Sequence, residues 1–179
     1  TTPLSKMPEQ GVFTSDLRDS LLNNEADMVV HSWKDLPIEM PKGTGIVSTL
    51  SRSDSRDILF FKNNSIKKKS LQIYSSSPRR ERNLSISLPD LLPWNISKIE
   101  FHPIRGNIQT RLSKFLKDSL DGVVIAKAAI DRLAKDEDFV ELYKKNSDLF
   151  SWMILPNSIN PCAPGQGALA IEVAENNDF

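Results

Sequence analysis

Short apolar stretches alternate with helix-like patterns along most of the chain, and this alternation restricts the fold more than any other feature. The predicted strands cover 26–31, 46–50, 71–74, 98–102, 122–126 and 168–173, and the predicted helices cover 15–23, 108–118, 127–135 and a segment that begins at Ser77-Pro78. Alternating strands and helices are typical of an α/β fold with mainly parallel sheets. Ligands of such folds bind where the carboxyl ends of strands lead into loops, so functional residues are expected in the loops that follow strands.

Two kinds of local detail accompany this pattern. The short apolar run within the segment 26–31 predicts a strand that is covered on both faces, as in a parallel sheet. Thr14 or Ser15 is predicted to cap the first helix, because hydroxyl side chains satisfy free amide groups at helix N-termini. Ser77 followed by Pro78 predicts a second helix start, with serine as the cap and proline at the first helical position.

The composition argues against several classes of protein. The 179 residues are 39% hydrophobic and 26% charged, which is typical of a chain that folds. The 23 basic and 23 acidic residues cancel, so a general nucleic-acid binder is disfavoured. A single cysteine, Cys162, and two histidines allow no disulfide within the chain and predict no metal centre.

The sequence also contains no obvious membrane or export segment. No apolar run approaches the roughly 18 residues that a membrane-spanning helix needs. The N-terminus lacks the apolar core of a signal peptide, and it starts with Thr1 rather than Met, so the chain is expected to be cut from something longer. A reducing, cytoplasmic environment is the resulting expectation.

The first candidate loop follows the predicted strand at 26–31. Its sequence, His31-Ser32-Trp33-Lys34-Asp35, places the cation of Lys34 beside the carboxylate of Asp35 at a strand end. Such a pair is either part of an active site or a surface salt bridge, which contributes about 0–1 kcal/mol. The residues alone leave both interpretations open.

The second candidate loop, at 75–80, reads Ser-Ser-Ser-Pro-Arg-Arg at a predicted helix start. A helix N-terminus carries free amide donors and a partial positive charge, and it binds anions readily. Arg79 and Arg80 oppose this dipole, so they predict an anion that they hold through bidentate hydrogen bonds. The alternative is a solvated and mildly unfavourable pair of charges.

The third candidate loop repeats this design at Arg105-Gly106-Asn107, with Arg111 in the first turn of the following helix. Two such loops predict a ligand that carries several negative charges. Taken alone, Arg111 is equally compatible with an exposed residue of a first helical turn.

In this order, the three loops resemble those of the porphobilinogen deaminase family. The matching segments are H-S-x-K-D-x-P at 31–37, D-x-R-D at 54–57, the serine-rich turn with two arginines at 75–80, R-G-N followed by T-R-L at 105–112, and G-Q-G-A at 165–168. Segments 3–6 and 11–14 are similar to the family's first-domain loop. The resemblance covers nearly the whole chain and lies in several motifs at once.

The resemblance implies a transferase that joins four porphobilinogen units head to tail, with loss of ammonia, into hydroxymethylbilane during haem biosynthesis. It implies a dipyrromethane cofactor, held covalently by a cysteine of a third domain, and as partners porphobilinogen and the growing polypyrrole, with no nucleic acid and no membrane. A monomer is expected. The implied catalytic residue is Asp35, and the implied cofactor- and substrate-binding residues are Lys34, Ser75, Ser76, Ser77, Arg79, Arg80, Arg105, Gly106 and Arg111.

The resemblance also implies a fold of two periplasmic-binding-protein-like (type II) lobes around a cleft. Lobe 1 is expected at 1–57 and 158–176, and lobe 2 at 58–157, while the family's N-terminal strand and third domain are expected to be missing from this sequence. Cys162 precedes the Gly-Gln-Gly segment, so it is not expected to be the cofactor cysteine. The isolated chain is therefore predicted to be inactive.

Two other functions stay open at this point. The same two-lobe architecture serves non-catalytic modules that bind anions or solutes, and these need the arginines but not Asp35. A degenerate relative is the other alternative, because several positions depart from the family pattern: Gln10, Trp33, Tyr74, Pro78 and Lys127.

Overall fold

The computed structural model describes residues 12–175, which form two compact units. Unit 1 combines 1–53 with 164–179, of which 12–53 and 164–175 are described, and unit 2 comprises 54–163. The chain thus passes into unit 2 once and returns once. The lobe boundaries that the resemblance implies, 1–57 with 158–176 and 58–157, remain predictions. The cleft between the lobes also remains a prediction. The predicted segments at 3–6 and at 11, together with Gln10, lie outside the described residues.

Strands and helices alternate along most of the described chain. The strands are β1 (Val29–Ser32), β2 (Thr44–Thr49), β3 (Asp57–Lys62), β4 (Ser70–Tyr74), β5 (Lys98–His102), β6 (Gly122–Ala126), β7 (Phe150–Leu155) and β8 (Leu169–Ala174). The helices are α1 (Val12–Leu22), α2 (Pro78–Leu91), α3 (Ile108–Lys117), α4 (Lys127–Leu133) and α5 (Glu137–Asn146), and short 3-10 turns lie at Trp33–Asp35, Asn63–Ser65 and Ser147–Leu149. The predicted α/β class is confirmed.

In the described part of the chain, each unit contains one sheet, and each sheet contains one reversed strand. The strand order is β1-β8-β2 in unit 1 and β5-β4-β6-β3-β7 in unit 2. Strand β8 is antiparallel to both of its neighbours, and so is β3, whereas β4 is parallel to β5 and β6. The periplasmic-binding-protein-like type of the two lobes stays a prediction.

The prediction of mainly parallel sheets is wrong for the pairings of the described strands. In unit 1 only β8 runs opposite to the other strands, and in unit 2 only β3 does. Each of these strands lies between two others, so both of its pairings are antiparallel. The physical reason is the route of the chain, because β3 and β8 are the first strands after the passages into unit 2 and back.

The sheet of unit 2 is covered on both faces. Strand β3 reads Asp-Ile-Leu-Phe-Phe-Lys, and its side chains alternate between two apolar clusters. Ile58 and Phe60 pack with Phe115 and Phe150 on one face, and the other face holds Leu59, Phe61, Leu71, Ile73, Leu84, Leu88, Val124 and Leu155. Sequence analysis did not predict β3, α5 or β7, although β3 lies in the middle of this core.

The smaller sheet of unit 1 does not match its predicted burial. The predicted strand at 26–31 begins only at Val29, and its side chains alternate between buried and exposed, with Val30 53% exposed. The prediction of a strand covered on both faces is therefore wrong, since β1 is covered on one face only. The first helix begins at Val12, so Thr14 and Ser15 lie inside it and neither is its cap.

The predicted bounds of several strands and helices and one predicted helix cap are confirmed. Strands β4, β5, β6 and β8 and helices α3 and α4 lie within two residues of their predicted bounds. Ser77 caps α2 with Pro78 in its first turn. Among the described residues, no helix is long and apolar enough to cross a bilayer, and no group of three acidic, histidine or cysteine side chains is placed to hold a metal ion.

Candidate functional site

The loop after β1 forms a single 3-10 turn, Trp33–Asp35, at the carboxyl end of the strand. The backbone N–H of Trp33 donates to Ala168 O at 3.1 Å, and the N–H of Leu36 donates to Trp33 O at 3.1 Å. These bonds hold the main chain, while the side chains of Lys34 and Asp35 are exposed.

Asp35 has no hydrogen-bond or ion-pair partner among residues 12–175, and Lys34 has none either. The two side chains therefore do not form the surface salt bridge that was the alternative interpretation of this pair. A carboxylate in this state can accept hydrogen bonds from a ligand, because no cation of the described chain occupies it.

Gly165 packs directly against this turn. Its φ of +68° is a conformation that residues with a Cβ atom rarely adopt. A Cβ atom at this position would lie 2.9 Å from Trp33 Cδ1 and 3.0 Å from Lys34 N. The Gly-Gln-Gly segment thus supports the backbone that carries Lys34 and Asp35.

His31 belongs to a buried charge network rather than to the exposed turn. The carboxylate of Glu172, which has no exposed surface, accepts hydrogen bonds from Arg18 Nε at 2.6 Å and from Thr44 Oγ1 at 2.5 Å. His31 Nε2 lies 2.7 Å from the second Glu172 oxygen, within ion-pair distance but outside the direction of a hydrogen bond. Burial raises the pKa of Glu172. The hydrogen bonds from Arg18 and Thr44 and the charge of Arg18 together lower it by a larger amount, so the pKa lies below its usual range.

The serine-rich turn of unit 2 uses all three hydroxyl groups in its own structure. Ser75 Oγ accepts from Ser77 N at 3.1 Å, and Ser77 Oγ accepts from Arg80 N at 3.5 Å as the cap of α2. Ser76 Oγ donates to Ile104 O at 2.9 Å and accepts from Ile104 N at 2.8 Å. Ser76 therefore ties the second candidate loop to the third.

Helices α2 and α3 begin at the same edge of the unit 2 sheet. They follow β4 and β5, which are parallel neighbours, and Ser75 N donates to His102 O at 2.9 Å between these two strand ends. Asn107 caps α3 by accepting from Thr110 N at 2.8 Å. Two helix N-termini with their free amide groups at one edge favour the binding of anions there.

Arg79 and Arg80, predicted to hold an external anion, contact a carboxylate of the chain itself. Asp57, which has no exposed surface, accepts from Arg80 Nε at 3.0 Å, Arg80 Nη2 at 2.7 Å and Arg79 Nη2 at 3.1 Å. Asn160 Nδ2 donates to the same carboxylate at 2.9 Å. Sequence analysis missed Asp57 and Asn160 as members of this group, although Asp57 ends the D-x-R-D segment.

Arg111 lies close to two other cations. Its Nε donates to Gly106 O at 2.8 Å, and Gly106 has a φ of +108° that suits the tight turn before α3. Burial lowers the pKa of Arg111, and the positive charges of Arg80 and Arg105 lower it further. The positive charges of Arg80 and Arg105 therefore act on Arg111 near the edge where α2 and α3 begin, and this concentration of positive charge favours the binding of anions there.

The predicted site residues thus form two groups. Lys34 and Asp35 belong to unit 1, and the serines, Gly106 and the four arginines belong to unit 2. Cys162, also in unit 2, is half-buried and is in no disulfide bond.

An apolar hollow of about 380 Å³ lies elsewhere in unit 2, between α4, α5 and strands β3 and β7. Phe60, Tyr143 and Trp152 line it, and Lys127 stands at it in an ion pair with Asp131 at 2.7 Å. None of the predicted site residues lines this hollow, so its shape does not mark the site.

The chain as a whole is similar to known proteins of one family. A sequence profile described as "Porphobilinogen deaminase, dipyromethane cofactor binding domain" matches residues 1–179. The porphobilinogen deaminase of Clostridium botulinum (strain Hall) is 38% identical over 178 residues, which cover 97% of this chain and 54% of that protein. That of Bacillus subtilis (strain 168) is 38% identical over 179 residues, covering 98% and 51%.

The chain spans about half the length of these curated relatives. A solved structure of the periplasmic VFT2 domain of BvgS from Bordetella pertussis is similar with a TM-score of 0.41 and 10% identity, covering 90% of this chain and 60% of that one. With the profile match over all 179 residues and the relatives at 38% identity, the chain belongs to the porphobilinogen deaminase family.

Proposed function

We propose that the natural gene product carrying this sequence is a hydroxymethylbilane synthase, which joins four porphobilinogen units into hydroxymethylbilane. The observation that carries this proposal is the group of arginines at the edge where α2 and α3 begin. Arg80 follows the start of α2 and Arg111 that of α3, two helices that begin at the same edge of the sheet, and the charges of Arg80 and Arg105 both act on Arg111. Porphobilinogen carries one acetate and one propionate group, so a chain of such units is a polyanion that needs several cations in one place.

Lys34 and Asp35 supply the second part of the proposal. The reaction creates positive charge on pyrrole nitrogens, and a carboxylate beside a developing cation stabilises the transition state. Asp35 has no described partner of its own, which leaves its oxygens available for this role and for proton transfer. Lys34, exposed on the same turn, is proposed to contact acidic groups of the cofactor or substrate.

The residues of unit 2 fit a dipyrromethane cofactor, whose two rings bear acetate and propionate groups. Arg79, Arg80, Arg105 and Arg111 are proposed to hold these groups, together with the amide groups at the start of α2 and α3. When bound, this cofactor supplies the pyrrole carbon to which the first substrate unit is joined. We propose that a cysteine other than Cys162 holds it, because Cys162 precedes the Gly-Gln-Gly segment.

The proposed enzyme is a monomer of the cytoplasm, with porphobilinogen and the growing polypyrrole as its partners. The test is to incubate the natural gene product with porphobilinogen and to measure ammonia release and hydroxymethylbilane by mass spectrometry. We expect both products in the ratio of four ammonia molecules to one tetrapyrrole.

Binding of porphobilinogen without ammonia release would contradict the enzymatic proposal and would favour a non-catalytic anion-binding module. The isolated 179-residue chain is expected to release no tetrapyrrole, because the proposed cofactor cysteine is not in it. Formation of hydroxymethylbilane by the isolated chain would contradict this assignment of the cofactor.

A further inference from the structure

Asp57 is a buried carboxylate that the proposed reaction does not use directly. It is the first residue of β3, and it accepts hydrogen bonds from two arginines that are proposed to bind ligand carboxylates. We propose that Asp57 is the positioning residue of this anion site, which holds the inner N–H groups of Arg79 and Arg80 so that their remaining N–H groups face ligand carboxylates. This inference rests on the proposed function.

The hydrogen bonds divide each guanidinium group into a used and an unused part. A guanidinium carries five N–H groups. Arg80 uses Nε and Nη2 on Asp57 and Nη1 on Val124 O at 3.4 Å, and Arg79 uses Nη2 on Asp57 and Nη1 on Pro161 O. Both groups keep N–H donors that these bonds do not use, and both side chains are partly exposed, at 26% for Arg79 and 12% for Arg80.

Burial argues that Asp57 stays in place when a ligand binds. The carboxylate has no exposed surface, and a buried carboxylate that loses its partners has a large free-energy cost. A ligand carboxylate therefore does not displace Asp57 but adds to the outer side of the two arginines. The group of one carboxylate and two guanidiniums keeps a net positive charge for this purpose.

The same network reaches the segment that precedes the return of the chain to unit 1. Asn160, which is fully buried, donates to Asp57, and Arg79 donates to the carbonyl of Pro161. Asn83 Nδ2 in turn donates to Asn160 Oδ1 at 3.4 Å. The network thus joins three separate parts of the chain, those that contain Asp57, Arg79 and Asn160. These bonds leave the side chains of Arg79 and Arg80 little freedom to turn away from Asp57.

Removal of the Asp57 charge leaves two neighbouring guanidiniums without a counter-ion. They then repel each other, and Arg80 is also repelled by the charge of Arg111, so the two groups separate and lose their common orientation. We expect weaker binding of polycarboxylates, although the site becomes more positive.

The test measures binding of uroporphyrin I, a stable tetrapyrrole with acetate and propionate on each ring, to the natural gene product by fluorescence titration. Asp57→Asn is expected to weaken binding roughly 10- to 100-fold, by analogy with the residues that orient the ligands of metal sites. The matched control is Asp54→Asn, which breaks a neighbouring pair with Arg56 at 2.6 Å and is expected to change binding by no more than about twofold.

A double-mutant cycle separates positioning from a general loss of structure. In an Arg80→Gln background, Asp57→Asn is expected to lose much of its effect, whereas in an Arg111→Gln background it keeps it. Equal effects in both backgrounds, or unchanged or tighter binding by Asp57→Asn, would overturn the proposal. If Asp57→Asn does not fold, Asn160→Ala removes one donor to the carboxylate, keeps the charge pair and is expected to weaken binding to a smaller extent; unchanged binding would again overturn it.

The outcomes also distinguish this proposal from the proposed function. If the unmodified protein binds the probe and makes hydroxymethylbilane but Asp57→Asn has no effect, only the role of Asp57 falls. If the unmodified protein neither binds the probe nor makes the product, the proposed function falls and the role of Asp57 falls with it.

Discussion

Glu172 in unit 1 and Asp57 in unit 2 are both carboxylates without exposed surface, and both are paired with arginine. They differ in what their partners do. Glu172 binds Arg18, Thr44 and His31, which join α1, β1 and β2 to β8. Asp57 binds Arg79 and Arg80, which are proposed to hold the ligand.

This difference separates two ways of building a site. In unit 1 the buried network is structural, and the proposed catalytic group, Asp35, stands outside it with no described partner. In unit 2 the proposed binding groups are themselves part of the buried network. In unit 1, Asp35 is proposed to stabilise a positive charge that develops during the reaction, and it has no described ion-pair partner that would compete for this role. In unit 2, Arg79 and Arg80 are proposed to bind ligand carboxylates, and Asp57 orients them before the ligand binds.

The sharpest test of this contrast is Asp35→Asn in the natural gene product. Loss of the charge is expected to lower kcat about 10²- to 10⁴-fold, because an electrostatic or proton-transfer role supplies that much. Thermal stability is expected to stay the same, since Asp35 is exposed and unpaired. Steady-state kinetics and a melting curve check both, with Glu39→Gln, an exposed carboxylate of the same loop, as the control. Retained turnover would remove Asp35 from the chemistry.

Glu172→Gln is expected to do the opposite, with a large effect on stability. Removing one partner of a buried ion pair costs about 3–5 kcal/mol in the free energy of unfolding. Because the folded pKa of Glu172 is below the ordinary 4.5, this stability is present above about pH 4.5 and is lost as the pH falls through the folded pKa.

Urea unfolding at several pH values measures this effect, and the Glu172→Gln protein is expected to show a flatter acid dependence than the unmodified protein. Glu25→Gln, at an exposed carboxylate of unit 1, is the control and is expected to change little. A steep acid dependence that persists in Glu172→Gln would assign it to other carboxylates.

Arg111→Gln tests whether the arginines of unit 2 bind rather than stabilise. Hydrogen bonds to charged groups contribute about 1.5–3 kcal/mol, so KM for porphobilinogen is expected to rise roughly 10- to 100-fold. Melting temperature is expected not to fall, because Arg111 is repelled by Arg80 and Arg105. Arg132→Gln, at an exposed position of α4, is the control, and a lower melting temperature with an unchanged KM would make Arg111 structural.

Gly165→Ala probes how firmly the turn of unit 1 is held. An alanine at a φ of +68° costs about 1–2 kcal/mol in folding free energy, and its Cβ would press on Trp33 and on Lys34 N. We expect this loss of stability together with a lower kcat, measured by urea unfolding and by turnover. Gly45→Ala is the control, since a Cβ there meets no atom within 4 Å.

The smallest expected effect is that of Tyr74→Phe in unit 2. Tyr74 donates to Asp118 at 2.6 Å, and this bond, with burial and the charge of Asp118, raises the pKa of Tyr74 to about 12. Loss of the bond is expected to cost about 0.5–1.5 kcal/mol in folding free energy. Ultraviolet titration is expected to show a late-titrating tyrosine that disappears in the variant; if Tyr74 titrates near 10, as an ordinary tyrosine does, this hydrogen bond is absent in solution.

What could be predicted from the sequence was local. The caps at Ser77 and Asn107 were predictable because a helix start depends on residues three or four positions apart. Strand β3 was not, since six residues between two polar segments give too short an apolar run to assign by periodicity. The antiparallel pairings of β3 and β8 depend on how the chain travels between units, which no window of sequence contains.

The site followed the same rule. Sequence and resemblance selected the three loops, but the partner of Arg79 and Arg80 lies 22 and 23 positions away along the chain, and Asn160 lies 103 positions from Asp57. The presence of paired arginines at a helix start predicts an anion, and it does not tell whether that anion is a ligand or a side chain. The roles of the predicted site residues stay predictions until the variants above are measured.

The position of β8 between β1 and β2 has a consequence for synthesis on the ribosome. All strands of unit 2 have been made once residue 155 is joined, so its sheet can form while the chain is still growing. The sheet of unit 1 cannot, because β1 and β2 pair with β8 and not with each other. Strands β1 and β2 therefore wait, with the edges that pair with β8 open, until residues 169–174 emerge, and during this interval an open strand edge can pair with another chain.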